Sequence, residues 1–446
     1  MCGLYIFNMR DGGYVIVSPD DRSTAVLGYS DHGKIDPEAI PECMRAWLQG
    51  YAEETAQLYG QSAADGSATA VYRNDIEPMV RAVFGQDTPY NDACPRYGGQ
   101  TCLTGCVATA LAQVMYCHQH PAATTGEIPA YTTSSLGIGQ SAVPKGTAIA
   151  WNDILPVYGQ YNNDGNGWRV ESYTATQADA VAGLMSICGK TVRMDYMPNS
   201  SGGISQLIAP ALVKYFGYNR QTVQPVSRSN YTDSQWTEII YHELAHRRPV
   251  IYSGVTGSNA GHAFVIDGYQ GDDYFHVNWG LPTMECDGYY KLSAMNPRNI
   301  AKYTSNGFNY RQQAVIGIEP ASSGGSVSDE VSRASGSSIR LIDIQWSENP
   351  VRTGGSVDIT ATVQNNSVTP YTKGFVFIPS TQSTFSSSDI IPATVSSGET
   401  VSITKNFSVS GAEGEVVYAL VYYHTGYDSW YIDETFFSEP LVVSGS

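Results

Sequence analysis

The pattern of hydrophobic and polar positions divides the chain into three regions. In the first, "LYIFNMRDGGYVIVS" has two apolar runs around an Asp-Gly-Gly turn, which predicts a β-hairpin, and "AVLGYSDHG" predicts a further strand. In "IPECMRAWLQGYAEETAQL", Met44, Trp47, Leu48 and Tyr51 recur at helical spacing and predict an amphipathic helix. These elements form a small α+β unit within residues 1–76, which ends in the small-residue stretch "YGQSAADGSATA", a natural linker.

The middle region has a mixed pattern. The stretch "GCVATALAQVMYCHQHP" places Val107, Leu111 and Val114 on one apolar stripe, which predicts a helix beginning next to Cys106. Further along, "AFVIDGYQGDDYFHVNW" has two aromatic-rich strand patterns around a turn, which predicts a β-hairpin. We therefore assign residues 77–320 to a second, larger α+β domain.

The last region consists of strand patterns. The stretches "SVDITATVQN", "TKGFVFI", "TVSITKNFSVS" and "EVVYALVYYH" alternate between apolar and polar positions and are separated by turn clusters. This pattern is typical of an all-β sandwich of immunoglobulin type, which we place at residues 339–446. The Ser/Gly-rich residues 321–338 before it predict a flexible linker.

Composition and charge narrow the class of protein. The 446 residues are 42% hydrophobic and 15% charged, as in a globular protein of more than one domain. A net charge of −17 without basic runs argues against nucleic acid or an anionic membrane as a partner. The apolar runs are too short for a transmembrane segment. Because residues 4–8 already have a strand pattern, we expect the natural N-terminus and any export signal to lie upstream, and the protein to be secreted or cell-surface.

The stretch "HELAH" at 242–246 matches H-E-x-x-H, in which two helical histidines bind zinc and the glutamate acts as a base. On the same predicted helix, Trp236, Ile240 and Leu244 form the apolar face, and His242 and His246 point away from it.

A zinc site of this kind also needs a third ligand. The extended pattern requires a glycine and a histidine where this chain has Pro249 and Tyr252, and no glutamate occurs between His246 and Glu285. We therefore expect a solvated helix end that binds no metal.

A second group of residues predicts nucleophilic catalysis by a thiol. Cys106 stands at the start of a predicted helix, where unpaired N–H groups and the helix dipole lower the pKa of a thiol and can bind an oxyanion. A thiolate needs an imidazole partner, which in turn needs an orienting group. His262 lies on one arm of the predicted hairpin, and Asn278 and Trp279 lie on the other, so the hairpin brings them together. The order Cys, His, Asn is that of papain-like thiol proteases, and His276 is a rival base.

Longer motifs carry a family resemblance. The stretches "TGCVATALAQVM", "GHAFVIDGY" and "FHVNWG" resemble the streptopain family, secreted bacterial cysteine proteases with a papain-like fold. The similarity covers residues 77–320, and residues 4–35 resemble the inhibitory propeptide of that family. It implies an α+β papain-like catalytic domain preceded by an α+β propeptide. It also implies a secreted endopeptidase made as a zymogen, cut near the 60–76 linker, which prefers a bulky apolar residue just before the one cleaved.

The resemblance also assigns roles to residues. Cys106 would be the nucleophile and His262 the general base and then acid, with Trp279 or Asn278 orienting the imidazole. The second donor of the oxyanion hole would be a side-chain amide, which the sequence does not place. The reaction needs no cofactor. The expected partners are protein and peptide substrates, and the propeptide acts as an intramolecular inhibitor.

Two features depart from the family pattern or add to it. Family members read N-W-G-W-G-G, whereas here residues 281–283 are Leu-Pro-Thr, which alters the primed-side wall of the cleft. Cys94 and Cys102 are either a disulfide over the loop of the nucleophile or two thiols.

Two other functions stay open at the level of sequence. A zinc peptidase using His242 and His246 would lose activity on chelation and be indifferent to thiol alkylation. A surface binding protein with a degenerate protease scaffold is supported by the altered loop after Trp279, and the presence of Cys106 and His262 argues against it.

Overall fold

The structure is a computed structural model that divides the chain into two compact units, residues 1–326 and 327–446. It describes the following residues: 3–20, 23–36, 40, 42–56, 73–162, 167–220, 222–228, 231–255, 261–281, 286–293, 310–322, 339–365, 370–372, 374–379, 390–409, 416–417, 419–424, 430–432 and 441–444. Most of both predicted linkers, within 60–76 and 321–338, lies outside the described residues.

The helices of the first unit begin with different kinds of cap. In its described part they are α1 (Glu42–Ala56), α2 (Cys106–His118), α3 (Ala175–Thr191), α4 (Ile208–Phe216) and α5 (Asp233–Ala245). Thr174 and Thr232 cap α3 and α5, each in a capping box with a glutamine three residues later. Helix α2 has Gly105 at its N-cap position and receives no side-chain cap. The N–H groups of its first turn are therefore open to other acceptors.

The strands of the first unit include long central ones and several two-residue pairs. They are β1 (Tyr5–Asn8), β2 (Tyr14–Val17), β3 (Val26–Ser30), β4 (Arg96–Tyr97), β5 (Gln100–Thr101), β6 (Tyr131–Thr132), β7 (Gly139–Gln140), β8 (Gly159–Asn162), β9 (Gly167–Val170), β10 (Gln224–Ser227), β11 (Val250–Val255), β12 (Gly261–Gln270), β13 (Tyr274–Asn278), β14 (Gly288–Tyr290) and β15 (Tyr310–Ile316). The predicted N-terminal hairpin is β1–β2, and the predicted helix is α1, with Trp47 buried.

Nine of these strands form one sheet in the order β1-β2-β3-β14-β13-β12-β11-β15-β10. All neighbouring pairs are antiparallel. The N-terminal strands join the sheet where β3 pairs with β14, with Tyr29 opposite Tyr289 and Gly28 opposite Tyr290. The N-terminal residues thus extend the sheet that carries the candidate site.

Helices cover both faces of the central strands. Ala263 and Val265 of β12 belong to the same core cluster as Leu111 of α2. The alternate residue Phe264 contacts Trp47 of α1, with ring centroids 5.7 Å apart. Because both faces are covered, β12 reads as an almost continuous apolar run rather than an alternating one.

The second unit is all-β in its described part. Its strands are β16 (Ile339–Trp346), β17 (Val351–Arg352), β18 (Ser356–Asn365), β19 (Phe375–Pro379), β20 (Ile390–Ile391), β21 (Thr400–Ser408), β22 (Val416–Val417), β23 (Ala419–His424), β24 (Trp430–Ile432) and β25 (Leu441–Ser444). They form sheets β16-β18-β21, β20-β19-β23-β24 and β17-β25-β22. Ile359 and Val363 of the first sheet share a core with Phe375 and Phe377 of the second. The immunoglobulin-like topology stays a prediction.

Candidate active site

The loop before α2 holds the thiol at the first residue of the helix. Gly105 has φ 82°, a conformation that glycine adopts readily, and a Cβ at this position would lie 2.9 Å from the carbonyl oxygen of Ser201 and 2.5 Å from the sulfur of Met194. The glycine therefore allows the chain to enter α2 with Cys106 as its first residue. Cys106 is half-buried, and the next nine residues of the helix are buried.

The surroundings of the Cys106 thiol favour its anion. Burial raises the pKa of this thiol, but the charge of the His262 imidazole and its hydrogen bond to the sulfur lower it. The main-chain N–H groups of Ala263 and Val107 also reach the sulfur and lower the pKa further, so that the net result lies below the ordinary value. The structure therefore brings the thiol of Cys106 and the imidazole of His262 into hydrogen-bond contact.

The orientation of His262 is set by a main-chain carbonyl. Its Nε2 lies 3.0 Å from the carbonyl oxygen of Trp279. Because a carbonyl can only accept, Nε2 must carry a proton, which leaves Nδ1 to face the thiol. The β12–β13 ladder pairs Val265 with Asn278, so His262 lies beyond the paired positions, at the level of the residues that follow β13. Trp279 thus meets His262 through its backbone.

Asn278 holds this carbonyl from the other side. Its Nδ2 donates to the carbonyl of Ala82 at 2.9 Å, and its Oδ1 accepts the N–H of Gly280 at 3.0 Å. The N–H of Gly280 and the carbonyl of Trp279 belong to the same peptide group. A hydrogen bond at one end of a peptide polarises the other end. Asn278 therefore supports His262 through the peptide group between Trp279 and Gly280.

The tryptophan ring is packed inside an aromatic cluster. Trp279 is 0% exposed, and its ring centroid lies 4.7 Å from Phe264, 5.6 Å from Tyr290 and 6.4 Å from His262. Trp47 of α1 completes the cluster at 6.0 Å from Trp279. Helix α1, which belongs to the small unit within residues 1–76, therefore contacts the residue whose carbonyl meets the imidazole.

The rival base His276 is engaged elsewhere. Its Nδ1 lies 2.6 Å from Oδ1 of the buried Asp267, whose other oxygen accepts the N–H of Val80 at 2.7 Å. Burial lowers the pKa of His276, the carboxylates of Asp267, Asp287 and Asp31 raise it, and the net shift is upward. These contacts describe a structural histidine held by its carboxylate.

The "HELAH" residues lie at the end of α5 as the helical pattern predicts, but the glutamate is buried. Glu243 is 0% exposed and forms a two-pronged pair with Arg248, at 2.7 Å to Nε and 2.9 Å to Nη2. It also accepts the N–H of Gly317 at 2.7 Å. His246 is exposed, and its Nδ1 lies 2.8 Å from the carbonyl of His242. A carboxylate bound in this way is not available to activate water.

The two cysteines before the nucleophile are free thiols. Cys94 and Cys102 are both buried. Burial raises the pKa of Cys94 to about 12. Of the two sequence alternatives, the structure has the pair of thiols.

Comparisons with known proteins show the family to which this chain belongs. Residues 84–290 match the Peptidase C10 family, and residues 2–55 match the Spi protease inhibitor family. Streptopain of Streptococcus pyogenes is 34% identical over 340 residues, which cover 71% of this chain and 81% of the relative. The chain is a cysteine peptidase of the C10 family.

The chain is also similar to a solved structure and to a second bacterial protease. The solved structure of a prointerpain A fragment from Prevotella intermedia is 28% identical, has a TM-score of 0.59, and is matched over 96% of its length by 71% of this chain. The thiol protease/hemagglutinin PrtT of Porphyromonas gingivalis is 30% identical over 335 residues, which are 37% of that protein. In this C10 peptidase the N-terminal segment is an inhibitory propeptide of a zymogen. None of the helices in the described part of the chain is long and apolar enough to span a membrane.

Sequence reasoning missed groups that act through the backbone. The N–H of Ala263, which reaches the thiol, and the carbonyl of Trp279 have no side-chain signature. The sequence also did not identify the residue whose side-chain amide completes the oxyanion hole. In the structure the carbonyl of Gln86 accepts the N–H of Thr104 at 3.2 Å, which holds this half-buried glutamine against the loop that leads to Cys106.

Proposed function

We propose that this chain is a secreted cysteine endopeptidase, made as a zymogen, in which Cys106 is the nucleophile and His262 is the acid and base. The observation that carries the proposal is the thiol of Cys106 at the start of α2, hydrogen-bonded to an imidazole whose other nitrogen is fixed by the carbonyl of Trp279. The carbonyl favours the tautomer with Nδ1 towards the thiol, and the imidazole favours the thiolate that the reaction needs.

The steps follow from these positions. The Cys106 thiolate attacks the carbonyl carbon of the scissile bond, and the protonated His262 gives its proton to the leaving amine. A thioester forms as the C–N bond breaks. A water molecule, deprotonated by His262, then attacks the thioester carbonyl and releases the acid product and the thiol.

The oxyanion of each tetrahedral intermediate needs two donors. The main-chain N–H of Cys106, in the uncapped first turn of α2, supplies one. We assign the other to the side-chain amide of Gln86, whose main-chain carbonyl accepts the N–H of Thr104, two residues before the nucleophile. Gln86→Ala should lower kcat by about 10²-fold, because one oxyanion donor is worth that much, and should leave the alkylation rate of Cys106 unchanged.

The substrate is a protein or peptide, with a bulky apolar residue just before the one cleaved, as the family resemblance implies. A library of fluorogenic peptides that varies this position tests the preference. Equal rates for glycine and for leucine or phenylalanine at this position would contradict it.

The experiment for the mechanism compares casein hydrolysis by the full chain, after activation under reducing conditions, with Cys106→Ala and His262→Ala. Iodoacetamide and a zinc chelator are added separately. We expect both substitutions and iodoacetamide to abolish hydrolysis and the chelator to have no effect. Hydrolysis that survives Cys106→Ala and is lost to the chelator would contradict the proposal.

A further inference from the structure

The backbone of Trp279 lies where the sheet no longer fixes it. Strand β13 ends at Asn278, and its ladder with β14 pairs residues up to Val277 and Gly288. Trp279 is therefore past the last paired position. At this point the N–H of Trp279 donates to Oδ1 of Asp287 at 2.8 Å. The side chain of the residue just before β14 takes the place that a strand neighbour has further along the ladder.

The same residue then connects this carboxyl to the imidazole. The N–H of Trp279 is held by Asp287, and its carbonyl receives Nε2 of His262 at 3.0 Å. We propose that Asp287 is a positioning residue for catalysis, which fixes the main chain of Trp279 and thereby the orientation of His262 towards Cys106. The inference rests on the proposed function, since it assigns Asp287 a task within that pair.

The groups packed around Trp279 do not by themselves fix the direction of its carbonyl, so the hydrogen bond to Asp287 has a positioning role. Ring packing holds the indole of Trp279, but rotation of its backbone can turn the carbonyl while the ring stays in place. The next residue, Gly280, has φ 69° and lacks the Cβ that would restrict it. Asn278 holds the peptide group that contains the carbonyl, and Asp287 holds the peptide group before it. The two bonds together fix both peptide planes of Trp279.

The bond also closes the segment that follows the tryptophan. Trp279 and Asp287 flank residues 280–286, which contain the positions where this chain departs from the family pattern; residues 282–285 lie outside the described part of the chain. A hydrogen bond between the two ends of this segment fixes its base. The imidazole can therefore keep its orientation although the residues between them differ.

The acceptor role holds for either protonation state of the carboxyl. Burial raises the pKa of Asp287, the N–H of Trp279 and the charges of His276 and His32 lower it, Asp267 raises it, and the net shift is upward. Among the described residues, the titratable groups that act on the Asp287 carboxyl include His276, His32, Asp267 and the neighbouring Tyr14. Since a protonated carboxyl also keeps an acceptor oxygen, and an amide does too, Asp287→Asn preserves the bond that Asp287→Ala removes.

The test measures the pH dependence of Cys106 alkylation and the steady-state constants of the activated full chain. We expect Asp287→Ala to reduce kcat by about 10- to 100-fold with little change in KM, because a misplaced imidazole affects the reaction more than binding. We also expect the alkylation midpoint of Cys106 to move to higher pH. Asp287→Asn should restore kcat to within about threefold and return the midpoint.

A matched control separates positioning from folding. The carboxylate of Asp75 accepts the N–H of Gly271, also at 2.8 Å, at the far end of the same hairpin, so Asp75→Ala removes an equivalent bond away from His262. It should leave kcat and the alkylation midpoint unchanged. The inference fails if Asp287→Ala keeps the wild-type kcat and midpoint while Cys106→Ala and His262→Ala are inactive. It fails equally if Asp287→Asn is as impaired as Asp287→Ala, since the bond would then not be the cause. Activity that persists in Cys106→Ala overturns the proposed function itself.

Discussion

The buried glutamate of "HELAH" gives a prediction that separates an ion pair from a catalytic base. Glu243 is 0% exposed, and the side chain of Arg248 is 2% exposed. In Glu243→Ala the guanidinium loses both short bonds and keeps Glu319 at 3.5 Å, while the N–H of Gly317 loses its acceptor. Removing one partner of a buried pair costs about 3–5 kcal/mol. We expect a loss of about 4 kcal/mol in the free energy of unfolding, close to a factor of 10³ in the unfolding constant.

Two further variants calibrate this value. Glu243→Gln retains an oxygen acceptor and loses the charge, so its cost should be about 2 kcal/mol. Glu238 lies on the same helix and pairs with Arg73, but its side chain is 42% exposed. Glu238→Ala should therefore cost less than about 1 kcal/mol, as partly solvated pairs do.

The assay is urea unfolding of the full chain, followed by the fluorescence of buried tryptophans such as Trp236 on the same helix, together with peptidase activity per folded molecule without urea. The expected result is a lower unfolding midpoint for Glu243→Gln with its activity retained. If Glu243→Gln unfolds like the wild type and is inactive, the glutamate acts in catalysis and the structural interpretation is refuted.

Three more predictions concern the zymogen, the rival histidine and the loop of the nucleophile. Trp47→Ala removes a buried ring that contacts Trp279 and should cost about 3 kcal/mol of packing energy. The uncut chain of this variant should therefore show peptidase activity on a fluorogenic peptide. The control Gln49→Ala, at an exposed position of the same helix, should show none. Because the pKa of His276 is raised in the folded state, its stabilising effect is present below the unfolded pKa and is lost as pH rises through the folded pKa. Urea unfolding should therefore show the largest loss of unfolding free energy in His276→Gln at acid pH. A loss that is constant with pH would contradict this. Gly105→Ala combines a strained φ with a contact of 2.9 Å to a carbonyl oxygen and should lower kcat by at least tenfold, and unchanged kinetics would contradict the assigned entry into α2.

The sequence predicted those parts of the site that depend on side-chain pattern. The stripe Trp236, Ile240 and Leu244 predicted α5, and all three residues are buried. The apolar stripe of the second helix placed Cys106 at its start, where the structure has it. Such elements are predictable because periodicity determines which face is buried.

Other parts of the site could not be predicted from the hydrophobic pattern of the sequence. The orienting group of His262 is a main-chain carbonyl, which every residue possesses, and so Trp279 and Asn278 could not be ranked by their side chains. The hydrogen bond from the N–H of Trp279 to Asp287 joins residues eight positions apart that no hydrophobic pattern pairs. The burial of Glu243 depends on Arg248, which returns to it just after the helix ends. These features come from tertiary packing.

The pH dependence of iodoacetamide labelling is the most direct test of the Cys106–His262 pair, with the labelled cysteine identified by mass spectrometry of peptides from the full chain. Burial raises the pKa of Cys106, but the imidazole and the N–H groups lower it, and the net value lies below that of an ordinary thiol. Burial raises the pKa of Cys188 above that of an ordinary thiol. A thiolate stabilised by His262 predicts fast labelling of Cys106 at a pH where ordinary thiols are protonated, and loss of this advantage in His262→Ala. Labelling of Cys106 with an ordinary thiol midpoint, unchanged by His262→Ala, would contradict it.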